Sequence, residues 1–152
     1  MDTSARAREL EAVRVRRAEL RETLGELERA LAAPGASRAV VWGERLHEAV
    51  ERLVTEFALH VEVTEGPNGM HQAILAGDLR LANQVASLTE EHRTIAADIA
   101  ALVASSAAPV TPEDVAALRE QGTHLLGRIV RHRQRGADLV YEAYETDIGG
   151  GD

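Results

Sequence analysis

Apolar residues in this chain recur in alternating steps of three and four, the spacing that lays one stripe along an α-helix. Four such runs can be traced: Leu10/Val13/Arg17/Leu20/Leu24/Leu27/Leu31, Leu46/Val50/Leu53/Phe57/His60/Thr64, Val85/Leu88/His92/Ile95/Ile99 and Leu125/Ile129/His132/Gly136/Leu139. Turn chemistry separates them. The first helix is expected from about Ser4, as N-cap, to about Ala33, where Pro34-Gly35 ends it. Ser37 is the expected cap of a second helix running to Glu65, and Gly66-Pro67-Asn68-Gly69 stops it. Met70 to Ala76 has room for a turn or two of helix before Gly77, and Asp78 then caps a third helix from Leu79 to Ala104. Thr111-Pro112-Glu113-Asp114 opens the fourth, with a hydroxyl cap, proline at the first helical position and two acids facing the helix dipole; it runs to about Thr146. Short connections make neighbouring helices antiparallel, so the expected fold is all-α: an up-down-up-down four-helix bundle over residues 1–146, with a flexible tail at 147–152.

Three of the four stripes are interrupted by histidine and one by arginine, each where Leu or Val belongs. A single interior histidine is usually a hydrogen-bonded core residue. Three, one per helix, point instead to the way helical bundles build metal sites, from facing polar side chains. Counted from the same end of the bundle, Arg17, His92 and His132 lie roughly 13 to 14 residues in, so at ~1.5 Å per residue they share a level. His60 lies nearer its own helix end and joins them only if the 66–77 excursion covers that end. Arg17, the one charge in its stripe, is expected to pair with a carboxylate, Glu65 or Glu91, or with an anion. His47 and His71 read as surface residues, His124 as partly exposed, and Trp42 as core or interface.

Composition narrows the function classes. The chain has 152 residues, a net charge of −8, and no cysteine; all 17 of its basic residues are arginine. An acidic domain without a basic patch argues against nucleic acid as its partner. The lack of cysteine excludes disulfides, thiolate metal sites and cysteine nucleophiles. No stretch is long and apolar enough to span a membrane and no signal core precedes the first helix, so a cytoplasmic protein without a membrane partner is expected. Phosphate-binding glycine loops, Ser–His–Asp order and HExxH are all missing.

The stretches Leu59-His60-Val61-Glu62-Val63-Thr64-Glu65-Gly66, Thr89-Glu90-Glu91-His92, and His132 followed by Leu139-Val140-Tyr141-Glu142-Ala143-Tyr144 and Asp147-Ile148-Gly149-Gly150 resemble the hemerythrin-like (HHE cation-binding) domain family. The resemblance implies a four-helix bundle around a non-haem di-iron site that binds or senses oxygen, peroxide or nitric oxide. By the same resemblance His60, His92 and His132 occupy ligand positions. Other positions depart from the pattern: the first-helix histidine is Arg17, the second-helix glutamate is Thr64, and the fourth-helix carboxylate falls at Gly136 or Ala137. Without both bridging carboxylates, and with a fixed positive charge in place of an imidazole, two irons are poorly held. The expected metal set is therefore His60, His92 and His132, with Glu65 and Glu91 completing the shell or orienting the imidazoles, and Asp138 and Tyr141 as further neighbours. The expected cofactor is iron, at one ion or none per chain. Two alternatives stand beside this reading: a metal-free bundle serving as a binding or structural module, and a small-molecule oxidase or oxygenase using non-haem iron.

Overall fold

The computed structural model describes residues 3–149, with side chains except those of Arg6, Glu9 and residues 145–149. All its regular structure is helical among those residues. Four long helices, α1 (Thr3–Ala32), α2 (Ala39–Glu65), α4 (Ala82–Ser106) and α5 (Pro112–Gly149), pack against one another. Between α2 and α4 lie the short helix α3 (Met70–Gly77) and a 3₁₀ turn at Leu79–Leu81. The expected elements are all present, and their ends differ for local reasons. Helix α1 is already formed at Thr3, so Ser4 sits inside its first turn. Arg38, not Ser37, precedes α2, and makes no side-chain cap bond. The expected tail begins inside α5, which continues to Gly149; residues 150–152 lie outside the described part.

The turns follow the chemistry of their residues. Asn68 holds a positive φ of 61°, a conformation that short polar side chains tolerate best after glycine, and this reverses the chain between α2 and α3. Asp78 accepts the Arg80 backbone N–H at 3.0 Å and so caps the 3₁₀ turn ahead of α4. At the start of α5, Asp114 accepts both the Thr111 backbone N–H (3.2 Å) and the Thr111 hydroxyl (2.8 Å). The aspartate thus reaches back as a capping-box acid does. Arg119 donates to the Leu31 and Ala33 carbonyls at 2.9 and 3.0 Å, closing the C-terminus of α1, and its guanidinium lies 5.5 Å from the centre of the buried Trp42 ring.

Two apolar clusters fill the interior. The larger one runs through all four long helices, from Leu20, Leu27 and Leu31 to Trp42, Leu46, Leu53, Phe57, Ile95, Leu102, Leu125 and Ile129. The smaller one joins Val13 to Met70 and Ile74 of α3 and to Leu81, Val85, Leu88 and Leu139. Helix α3 therefore covers the end of the bundle where the α2 histidine lies, as the position of His60 requires. No helix among the described residues is long and apolar enough to cross a membrane.

Two glycines test this packing from opposite sides. A Cβ at Gly43 would come within 2.7 Å of the Val110 Cβ, a branched carbon next to the backbone, so the linker before α5 rests directly on α2. Around Gly136 nothing lies within 4 Å. Gly43→Ala should therefore destabilise the protein by about 1–2 kcal/mol, since overpacking outweighs the helix preference of alanine, and Val110→Ala should relieve part of that loss. Gly136→Ala should stabilise it by about 0.5–1 kcal/mol. Urea unfolding midpoints read both; a stabilising Gly43→Ala would show that the linker does not rest on α2.

Candidate metal centre

Each of the three stripe histidines lies where its apolar neighbours place it, facing the bundle interior. His92 and His132 are buried and His60 is largely so. All three rest on Phe57, whose ring centre lies 5.6, 5.8 and 6.3 Å from those of His60, His92 and His132. The imidazoles themselves meet edge to face, with ring centres 5.1 Å apart for His60–His92, 5.5 Å for His60–His132 and 4.7 Å for His92–His132. One ring nitrogen from each histidine falls within 4.8 Å of the other two. The Nε2 atoms of His60 and His132 are 3.4 Å apart. A tetrahedral ion with bonds of ~2.1 Å spaces two ligand nitrogens by about that distance.

Two glutamates set the rings. The Nδ1 of His132 donates to Glu91 at 2.7 Å, and the Nδ1 of His92 donates to Glu65. Glu91 is held in turn by Arg135, whose Nε donates to its other oxygen at 2.8 Å. An imidazole that donates from Nδ1 keeps the Nε2 lone pair free, and a carboxylate on Nδ1 raises its basicity. Glu65 and Glu91 thus stand behind the histidines they orient. Asp138 accepts a 2.9 Å bond from Gln134 and is exposed, and Tyr141 is 67% exposed, so neither joins the cluster.

Burial keeps the imidazoles neutral. It pulls His60 down to about 3, helped by repulsion from His92, His132 and Arg17. His92 and His132 are also lowered, chiefly by burial, although Glu65 and Glu91 oppose it. Neutral imidazole is the form that binds a metal ion.

His71, which the sequence pattern assigns to the surface, is 7% exposed. It stacks flat on His92, with ring centres 5.7 Å apart and planes 1° from parallel, and its Nδ1 meets the Thr89 hydroxyl at 3.2 Å. Burial pulls it down to about 4. The available signal was the apolar step Met70/Ile74 of α3, which flanks His71 on the buried side. His124 is exposed; His47 is partly buried, meeting the Ser106 hydroxyl and Glu51 at 3.0 Å each, far from the cluster in sequence and in contacts.

Arg17 departs from expectation. Glu65 and Glu91 are taken by His92, His132 and Arg135, and no carboxylate among the described residues pairs with Arg17. Burial lowers its pKa without a compensating acid. Thr64, at the expected glutamate position, is buried and turns its hydroxyl back to the His60 carbonyl at 2.9 Å. Beside the histidines opens a cavity of about 290 Å³ whose walls include Arg17, His60, His71, His92, His132 and Leu139.

No family model matches the chain, and no curated protein or solved structure does so significantly.

Two stability measurements follow from this geometry. His60 and His71 have folded pKa values below their unfolded value of about 6.5, so the unfolded chain binds more protons as pH falls. Their contribution is complete above about pH 7 and is lost as pH drops toward the folded values. The metal-free protein should lose roughly 2–3 kcal/mol per pH unit between about pH 6 and 5, at ~1.4 kcal/mol per unit for each histidine. Urea unfolding across pH 7.5 to 5 checks this; a flat profile would mean that the folded protein leaves both rings open to water. Arg17→Leu should raise stability by about 1 kcal/mol in chloride buffer free of other anions, because it removes a desolvated charge that has no acid beside it. A destabilised variant would reveal a favourable contact of the guanidinium.

Proposed function

We propose that the protein is a hemerythrin-like member of the antiparallel up-down-up-down bundles that binds one metal ion, iron in the cell, through His60, His92 and His132. The observation that carries the reading is the convergence of three neutral imidazoles, two of which, His92 and His132, have their far nitrogens held by carboxylates. Three histidines form a competent shell for one divalent ion and leave a coordination position open. All three histidines line the cavity. Iron so placed supplies redox chemistry toward oxygen, peroxide or nitric oxide, and the protein serves to bind or sense such a ligand. A pair of irons does not suit the site. Thr64 and Gly136 stand where bridging carboxylates are needed, and Arg17 adds positive charge on the cavity wall.

A second reading, an oxidase or oxygenase acting on a small organic molecule, is favoured by the volume of the cavity, which exceeds what a diatomic ligand needs.

Titration of the metal-free protein with Fe(II) under nitrogen, and with Co(II) or Zn(II) in parallel, tests the site. One tightly bound ion per chain is expected, with a tetrahedral or five-coordinate Co(II) spectrum. Alanine at His60, His92 or His132 should weaken binding at least ~100-fold, and Glu65→Gln or Glu91→Gln by about 10–100-fold. His47→Ala should leave it unchanged. Absence of tight binding, or two tight ions with oxo-bridged ferric absorption, would overturn the reading.

A further inference from the structure

The cavity beside the histidines has two chemically different parts. Val13, Leu20, Ile74, Leu88 and Leu139 give it an apolar wall. Its remaining rim carries three arginines, Arg17 and Arg21 from α1 and Arg133 from α5. Arg21 is exposed and the other two are half-buried, so the opening lies between α1 and α5, where Val130 and Gln134 are also exposed. Arg133 feels the other two: its pKa is lowered first by burial and then by repulsion from Arg21 and Arg17.

Among the described residues, seven arginines away from this rim meet carboxylates, and those that do not are either exposed to solvent or, as Arg119, bound to backbone carbonyls, so a half-buried arginine without a partner is the exception. Arg16 meets Glu56, Arg52 meets Glu26, Arg80 meets Asp78, Arg128 meets Asp98 and Arg135 meets Glu91. With 25 acidic residues against 17 basic ones, acids are in surplus. Yet no carboxylate among the described residues pairs with Arg17, Arg21 or Arg133. Three like charges on one partly desolvated rim destabilise the empty protein, and an anion entering the cavity offsets that cost. Guanidinium is well suited to the task, because its planar donors match a carboxylate in pairs.

We propose that this cavity binds a small organic acid, its carboxylate on Arg17, Arg21 and Arg133 and its apolar body along Val13, Leu20, Ile74, Leu88 and Leu139. An apolar cavity of ~150 Å³ accommodates benzene, so about 290 Å³ takes a monocarboxylate of roughly a dozen non-hydrogen atoms. Binding needs only the arginines and the apolar wall; the role of the acid as substrate or co-ligand of the ion rests on the metal-site reading above.

Calorimetric titration with phenylacetate, its neutral isostere phenylacetamide, and inorganic sulfate tests the assignment, on metal-free and on Zn(II)-loaded protein. Phenylacetate should bind both forms at least ~10-fold more tightly than phenylacetamide, whose body is the same and whose charge is absent. It should also bind more tightly than sulfate, which cannot use the apolar wall. Arg17→Met and Arg133→Met should each weaken phenylacetate at least ~10-fold, while Arg131→Met, on the exposed face of α5, should not. Equal affinity for acid and amide, or no binding of phenylacetate to the metal-free protein, would overturn the anion site; sulfate binding as tightly as phenylacetate would overturn the organic acid. The metal-free titration decides this point alone, so a failure of metal binding and a failure of acid binding are read separately.

Discussion

The structure depends on keeping imidazoles neutral in a core that could have been made of leucine. Each buried ring loses its hydration, and each needs a partner for Nδ1 or a neighbour that tolerates its polarity. Glu65 and Glu91 provide the partners from the half-buried margin, and Phe57 provides a floor that touches all three rings. The histidine layer thereby separates the two apolar clusters, with Phe57 and Ile129 on one side and Met70, Ile74 and Leu88 on the other. Removing the layer's polarity would let the clusters merge into an ordinary bundle core. Keeping it costs stability at low pH and leaves three nitrogens converging on one point.

Function follows from what surrounds that point. Behind the rings the acids fix tautomer and orientation; in front, a cavity opens whose wall combines leucine and valine with arginine. A site made only for a diatomic ligand would need neither the volume nor the charge. Arg17 thus bears on both proposals: its positive charge weakens the case for a second metal ion and strengthens the case for an anionic guest. Arg135 shows the contrast, since it meets Glu91 directly and leaves no free charge at the cavity.

Periodicity alone determined the four long helices and the inward direction of His60, His92 and His132, because a 3.6-residue repeat assigns every stripe position a face. It also exposed Arg17, Thr64 and Gly136 as departures within those stripes. The partners of polar groups were another matter. Glu65 and Glu91 could be named as neighbours by their distance along the chain, but whether they would bind metal, a histidine or Arg17 depended on how α2, α4 and α5 are rotated against one another. Only the packed structure put them on Nδ1 of His92 and His132 and left Arg17 without an acid among the described residues. His71 was hidden for a related reason: eight residues of helix between glycines carry too short a pattern to define a buried face. The burial of His71 comes from α3 lying across the bundle end, a tertiary contact that no local spacing encodes. The cavity, likewise, is a property of the gap between α1 and α5, formed by residues more than a hundred positions apart.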